Sequence, residues 1–162
     1  MDKTRPGAII AVFLLFGSSA YLGAAPKTPE YAGDLGPASI DVSAYPPEMQ
    51  AAYGKFQAKC GVCHSAARAV NSELITADQW NRYIKRMWLR PPCCNFCPVI
   101  SKDDAKTIWK FLTYDSTLRK TGSRAAAWEQ YRQSLLAEFK KNYPKKDHDR
   151  YELTQENGGQ KP

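Results

Sequence analysis

The residues with the clearest chemistry are the two cysteines and the histidine of Cys60-Gly61-Val62-Cys63-His64. Two thiols at this spacing can add across the two vinyl groups of a haem, because about one helical turn separates the two thioether positions. The histidine that follows then lies beneath the macrocycle and can ligate the iron. The pattern predicts one covalently attached haem c, held by Cys60 and Cys63 and ligated by His64. A disulfide or zinc pair that happens to precede a histidine is the alternative.

Met87 is a candidate for the second axial ligand of such an iron. The chain has three methionines, and the other two precede the cysteine motif. A histidine and methionine pair gives a higher reduction potential than two histidines. Met87 can also be a core residue, since methionine fills irregular gaps. His148 is the alternative ligand, although its charged neighbours predict a solvated position for it.

Three more cysteines, Cys93, Cys94 and Cys97, follow Met87. In an oxidising compartment two of them are expected to form a disulfide. Adjacent cysteines bridge poorly, so the expected pair is Cys93 with Cys97 or Cys94 with Cys97. The remaining thiol can bridge to a partner or ligate iron in place of Met87.

A haem also carries two propionate carboxylates, which need polar partners when they are buried. Arg68, Trp80 and Arg86 are candidates for donating charge or hydrogen bonds to them, and Phe56 is a candidate for packing against the ring. The alternative for each is ordinary surface charge or helix packing.

Two helices are predicted to flank the motif. Residues 48–59 follow a proline pair and place Ala52, Phe56 and Cys60 on one face. Residues 76–89 begin with Thr76, a favourable N-cap, and show apolar residues at helical spacing up to Met87.

Two further helices are predicted towards the C-terminus. One opens at Ser101, where Asp104 resembles the acidic partner of a capping box, and it is expected to end near Asp115. The other spans 123–143, with aromatic and aliphatic residues mostly on one side and basic residues mostly on the other, and is expected to be an appended docking helix. A polar tail, 144–162, follows it.

The N-terminal segment indicates export. Residues 7–25 carry no charge and follow Lys3 and Arg5, which is typical of a secretory signal or a membrane span. A poor pattern of small residues before any cleavage point favours an uncleaved anchor. The positive-inside rule then puts the rest of the chain on the periplasmic side. Residues 26–47 are rich in proline and glycine and are predicted to be an extended linker.

Between about residues 46 and 115 the chain resembles the class I c-type cytochromes. Besides the CXXCH motif, Ala52 and Phe56 resemble the positions where the family's first helix crosses its last, and Trp109 and Leu112 resemble positions of that last helix. The segment that contains Trp80, Ile84 and Met87 is similar to short cytochromes in which a helix delivers the methionine ligand.

The resemblance implies an all-α cytochrome c fold with three core helices around one haem. The expected organisation is a signal anchor or transmembrane helix at 1–25, a linker at 26–47, the haem domain at 48–118 and the docking helix with its tail at 119–162.

A formal net charge of +7 favours an acidic partner or anionic lipid. The chain shows no nucleic-acid recognition motif and no interleaved aromatic stacking pattern, so nucleic acid is not an expected partner. The expected function is electron transfer without catalysis, within or tethered to a membrane respiratory or photosynthetic complex. The partner would be a reaction centre, a quinol-oxidising complex or a terminal oxidase. A peroxidase or gas sensor with an open sixth position, or a mainly structural haem subunit, are the alternatives.

Overall fold

The computed structural model describes residues 28–89 and 99–144, and these residues are helical with no strand among them. The α-helices are α1 (Pro47–Cys60), α2 (Ala67–Val70), α3 (Ala77–Trp88), α4 (Lys102–Lys120) and α5 (Ala125–Asn142). Single 3-10 helices lie at Ala32–Leu35 and Gly122–Arg124. The predicted all-α class is confirmed. The expected anchor at 1–25 and most of the polar tail lie outside the described residues, and no helix within those residues is long and apolar enough to cross a bilayer.

Side-chain caps fix where α3 and α4 begin. The hydroxyl of Thr76 accepts from the Gln79 backbone N–H at 3.2 Å, and the Gln79 side chain accepts in return from the Thr76 N–H at 2.9 Å. Ser101 and Asp104 exchange the same two bonds at the start of α4. Each cap satisfies backbone donors that the first turn leaves without a partner. Both predicted helix starts are confirmed.

The core forms where α4 packs against α1 and α3. The rings of Phe56 on α1 and Phe111 on α4 lie 5.5 Å apart, and neither side chain is exposed. On the other side of α4, the Trp80 indole N–H donates to the Ser116 hydroxyl at 2.9 Å. Full burial of one such apolar side chain stabilises the fold by about 1.5–3 kcal/mol.

Helix α4 continues past Asp115, where it was expected to end, and reaches Lys120. Asp115 is buried, and it accepts hydrogen bonds from the Tyr45 hydroxyl at 2.8 Å and from Arg119 Nε at 2.7 Å. Its charge is therefore paired inside the helix rather than solvated at a helix end. Gly122, whose φ is +61°, then allows the chain to turn into α5.

The residues before α1 pack against the rest of the chain. Ala32 and Gly33 of the first 3-10 helix are buried, and this helix contacts α2 and α5. The side-chain nitrogen of Asn71 lies within hydrogen-bonding distance of the carbonyl oxygens of Gly33, Pro37 and Ala67. We expected 26–47 to be an extended linker. The described part of this segment instead contains a helical turn and a buried contact.

The C-terminal helix predicted at 123–143 is confirmed as α5. Leu135 and Phe139 bury their side chains against Ala32, and Trp128 is buried beside the last turn of α4. The apolar side of α5 therefore covers part of this same chain. The Tyr131 hydroxyl donates to Asn71 Oδ1 at 3.2 Å and fixes the helix against the loop that follows α2.

Candidate functional site

The CXXCH motif lies at the end of α1. Cys60 is the last residue of the helix, and Cys63 and His64 lie in the turn between α1 and α2. The Gly61 N–H donates to the Gln57 carbonyl at 3.2 Å and closes the helix. Cys60 packs against the core on the same side as Ala52 and Phe56, as the four-residue spacing predicted.

Cys60 is a free, half-buried thiol. Burial raises the pKa of this thiol to about 12, well above its usual value. Cys60 is therefore in its protonated form at neutral pH.

Cys63 forms a disulfide whose partner lies outside the described residues. A sulfur in a disulfide cannot also form a thioether to a haem vinyl group. The two states are therefore exclusive, and attachment at Cys63 requires this bond to be reduced first. The expected pairings among Cys93, Cys94 and Cys97 concern residues outside the described ranges.

The ring of His64 contacts the backbone of the residue that follows it. Its Nδ1 lies 3.0 Å from the Ser65 carbonyl oxygen. A carbonyl oxygen only accepts hydrogen bonds, so Nδ1 carries the proton and the lone pair of the neutral ring is on Nε2. A hydrogen bond of this kind on the second nitrogen is what orients a metal-ligating imidazole. A c-type haem needs two thiols and an imidazole, and here Cys60 and His64 supply one thiol and the imidazole, while Cys63 would supply the second thiol only after reduction of its disulfide.

Helix α3 passes next to Cys60 through Tyr83. Both residues pack against the same core, and Cys60 lies close enough to affect the phenol. Burial, and then Cys60, raise the pKa of Tyr83 to about 12, so the phenol stays protonated at neutral pH. Met87 is half-buried and lies one turn after Tyr83 on the same helix. The other predicted iron ligand, His148, lies outside the described residues.

Two of the predicted propionate partners bind other protein groups. Arg68 donates to both carboxylate oxygens of Asp34, at 2.9 and 2.8 Å, and also pairs with Glu30 at 3.0 Å. The indole N–H of Trp80 is engaged by the Ser116 hydroxyl.

Arg86 and Phe56 occupy different environments. The Arg86 guanidinium is exposed and lies 5.6 Å from the centroid of the Tyr83 ring. Phe56 is fully buried and stacks among aromatic rings of α1 and α4.

Tyr83 is the residue of this region that the sequence analysis did not single out. An aromatic residue on the apolar face of a predicted helix indicates core packing, and Tyr83 does pack edge-on against Trp80, with ring centroids 5.6 Å apart. The only signal in the sequence that Tyr83 lies near the CXXCH motif is its position four residues before Met87, the proposed ligand.

Comparisons with protein-family models, with curated proteins and with solved structures find no match to this chain.

Proposed function

We propose that the chain is a monohaem c-type cytochrome with a class I cytochrome c fold, and that it carries single electrons. The observation that supports this most is the donor set at the end of α1. Cys60 and Cys63 lie one turn apart, and the Nδ1 hydrogen bond of His64 leaves its Nε2 lone pair for a metal. Met87 on the neighbouring helix α3 supplies the second axial ligand in this proposal.

In this proposal a bound haem supplies an iron that alternates between the ferric and ferrous states. The chain holds the group through two cysteine sulfurs, orients the imidazole of His64 and excludes water with the core around Phe56 and Trp80. No residue makes or breaks a substrate bond, so the chain is not an enzyme in this proposal. The apolar core lowers the local dielectric constant, which favours the less charged state of the iron.

The proposed partner is a membrane respiratory or photosynthetic electron-transfer complex. The net charge of +7 favours an acidic docking surface, and the uncharged run at 7–25 favours an N-terminal anchor. The haem domain then works on the periplasmic side as a subunit of that complex or as a tethered shuttle for it. The partner can be a reaction centre, a quinol-oxidising complex or a terminal oxidase.

Intact mass after export tests the attachment. The exported wild-type chain should carry the mass of one haem, which should resist extraction with acidified organic solvent. Cys60→Ala and Cys63→Ala should each lose one thioether and weaken retention, and the double variant should release the group. A wild-type chain that lacks covalent haem and retains the Cys63 disulfide would overturn the proposal.

The absorption spectrum of the oxidised protein tests the second ligand. Ferric iron bound to methionine sulfur gives a weak near-infrared band, which Met87→Ala should remove. Met49→Ala is the matched control, because Met49 is also a half-buried methionine and packs against the core away from the CXXCH motif's histidine in sequence. A high-spin spectrum with ready binding of exogenous ligands would instead indicate a peroxidase or gas sensor.

A further inference from the structure

The chain is bound to the folded part very soon after the uncharged run at 7–25. The Glu30 backbone N–H donates to Asp34 at 2.9 Å, and the Glu30 side chain pairs with Arg68 at 3.0 Å. Only residues 26–29 separate Glu30 from the end of the uncharged run. Five steps of an extended chain span at most about 18 Å. In the proposed function the run crosses the bilayer, so the folded part lies close to the membrane surface.

The point where the chain enters the fold lies beside helix α3. Burial is the main cause of the raised pKa of Tyr83 on α3, and Arg68 and Asp34 lie close enough to affect it as well. These are the two residues that hold Glu30. The guanidinium of Arg86, which follows on the same helix, lies 5.6 Å from the Tyr83 ring centroid. The start of the described fold and this part of α3 are therefore neighbours.

The exposed side of α3 is cationic and ends in two apolar side chains. Three exposed cations without an ion pair among the described residues lie on it, namely Arg82, Lys85 and Arg86. Leu89 continues the same face, since residues three, four and seven positions apart lie on one side of a helix. Leu89 is 66% exposed and the adjacent Trp88 is 41% exposed. No acidic residue occurs within 79–89.

We propose that this cationic side of α3, with Trp88 and Leu89 at its end, lies on the anionic surface of the bilayer that residues 7–25 cross. The inference rests on the anchor in the proposed function. Lysine and arginine attract anionic headgroups, and tryptophan favours the boundary between headgroups and acyl chains. The nearby cluster of Arg68 with Asp34 and Glu30 carries a net charge of −1, which the three cations of α3 outweigh.

An acidic protein is the other occupant that a cationic surface could take. The lipid is favoured because the short connection keeps it within reach at a high effective concentration. An exposed tryptophan and leucine beside cations also match the composition of interfacial helices.

Helix α4 carries a second row of exposed cations, Lys102, Lys106 and Lys110. This row includes the acidic Asp103 in its first turn. The 3-10 helix that follows Glu30 packs against α2 and α5. The row on α4 therefore serves as the comparison for the cationic side of α3.

Acylation of lysines by a membrane-impermeant reagent tests the orientation of the full chain. The chain is placed in bilayer discs of phosphatidylcholine, with or without an equal part of phosphatidylglycerol, and in detergent micelles. Peptide masses give the rates at Lys85 and at Lys110. In the anionic discs the rate at Lys85 relative to Lys110 should fall by about tenfold or more from its value in detergent. The fall should be smaller in the neutral discs, and equal protection in both would overturn the role of anionic lipid.

Two double variants separate the α3 surface from a general effect of charge. Arg82→Gln with Arg86→Gln should remove most of the protection of Lys85. Lys102→Gln with Lys106→Gln removes the same charge from α4 and should keep the protection. Equal losses in the two would overturn the assignment. A Lys85 that reacts equally fast in discs and in detergent would leave this side open to an acidic protein and would also overturn it.

The intact mass of the membrane-associated chain distinguishes this inference from the proposed function. An anchored chain that carries covalent haem and has an unprotected Lys85 would overturn this inference alone. A chain that has lost residues 7–25 and is released from the membrane would overturn the tether of the proposed function together with the inference.

Discussion

The Nζ atom of Lys120 lies 4.8 Å from the centroid of the Trp128 ring, so a cation–π contact joins the last turn of α4 to α5. Lys120 is 2% exposed and donates to the carbonyl oxygens of Ser72 at 2.7 Å and Leu74 at 3.1 Å. The centroid of the Trp80 ring also lies near the ammonium, 5.4 Å from Nζ. One lysine therefore connects α3, α4, α5 and the loop before α3.

Truncation of Trp128 should separate α5 from α4. Trp128→Ala removes a buried indole and its contacts with two cations, Lys120 and Arg119, and should lower the free energy of unfolding by about 3 kcal/mol. Trp88→Ala is the control, because Trp88 is 41% exposed at the end of α3, and its effect should stay below about 1 kcal/mol. Urea unfolding measures both, and equal losses would contradict the role of Trp128.

Lys120 should make stability depend on pH. Burial, and then the neighbouring Arg119, lower the pKa of Lys120 to about 7, although Asp115 and Glu73 act in the opposite direction. The unfolded chain then binds more protons than the folded chain above pH 7, so the free energy of unfolding should rise by about 2 kcal/mol between pH 7 and 9.

Lys120→Met should abolish this rise, and unfolding at several pH values measures it. Lys110→Met, which removes an exposed lysine of the same helix, should retain the rise. A Lys120→Met chain that keeps the wild-type pH dependence would show that another group is responsible.

Two glycines should respond to alanine in opposite directions. A Cβ at Gly36 would clash with the side chain of Asn71 and would lie 2.6 Å from the Tyr131 hydroxyl, so Gly36→Ala should destabilise the fold by about 1–3 kcal/mol. A Cβ at Gly54, in the exposed part of α1, would meet nothing within 4 Å. Gly54→Ala should stabilise by about 0.5–1 kcal/mol. Thermal unfolding of both variants checks the signs, and a neutral Gly36→Ala would refute the close approach.

The ion pair between Arg68 and Asp34 should contribute more to the free energy of unfolding than an ordinary surface charge does. Asp34 is 7% exposed in its side chain, and Arg68→Met would leave this carboxylate without its cation. Loss of one partner from such a pair lowers stability by about 2–4 kcal/mol. Arg82→Met, at an exposed position with no ion pair in the described part of the chain, should change it by less than about 0.5 kcal/mol. Chemical denaturation measures the free energy of unfolding of both variants, and equal losses in Arg68→Met and Arg82→Met would contradict the prediction.

Periodicity and caps were sufficient to predict the four longer helices. The apolar spacing around Phe56 and Trp80 and the hydroxyl residues Thr76 and Ser101 are local signals, and the structure confirms the helices that they predicted. The short helix α2 was not predicted, because four residues are too few to show a repeat. The turn at Ala32–Leu35 was missed since proline and glycine around it indicate an extended chain.

The partners of charged residues could not be predicted from the sequence. Lys120 lies among basic residues, which indicates a solvated position, yet its burial depends on Trp128 and on a loop far away in the chain. Arg68 looked available for a propionate because Asp34 lies 34 residues before it. Tyr83 was not singled out, since its closeness to Cys60 depends on how α1 and α3 each pack against α4. Such contacts are set by tertiary packing, which leaves no local pattern.

The position of Asn71 has a consequence for cooperativity. Its side chain contacts the backbone before α1, the backbone of α2 and the hydroxyl of Tyr131 on α5, so parts of the chain that are far apart in sequence depend on one amide. If one of these three segments loses its hydrogen bond to Asn71, buried groups of the other two segments become exposed. The three segments are therefore expected to open together. Residues 32–37, 67–71 and 131–139 should therefore exchange their amide hydrogens as one unit. The smallest fragment that folds independently then extends on both sides beyond the 48–118 region that resembles a cytochrome.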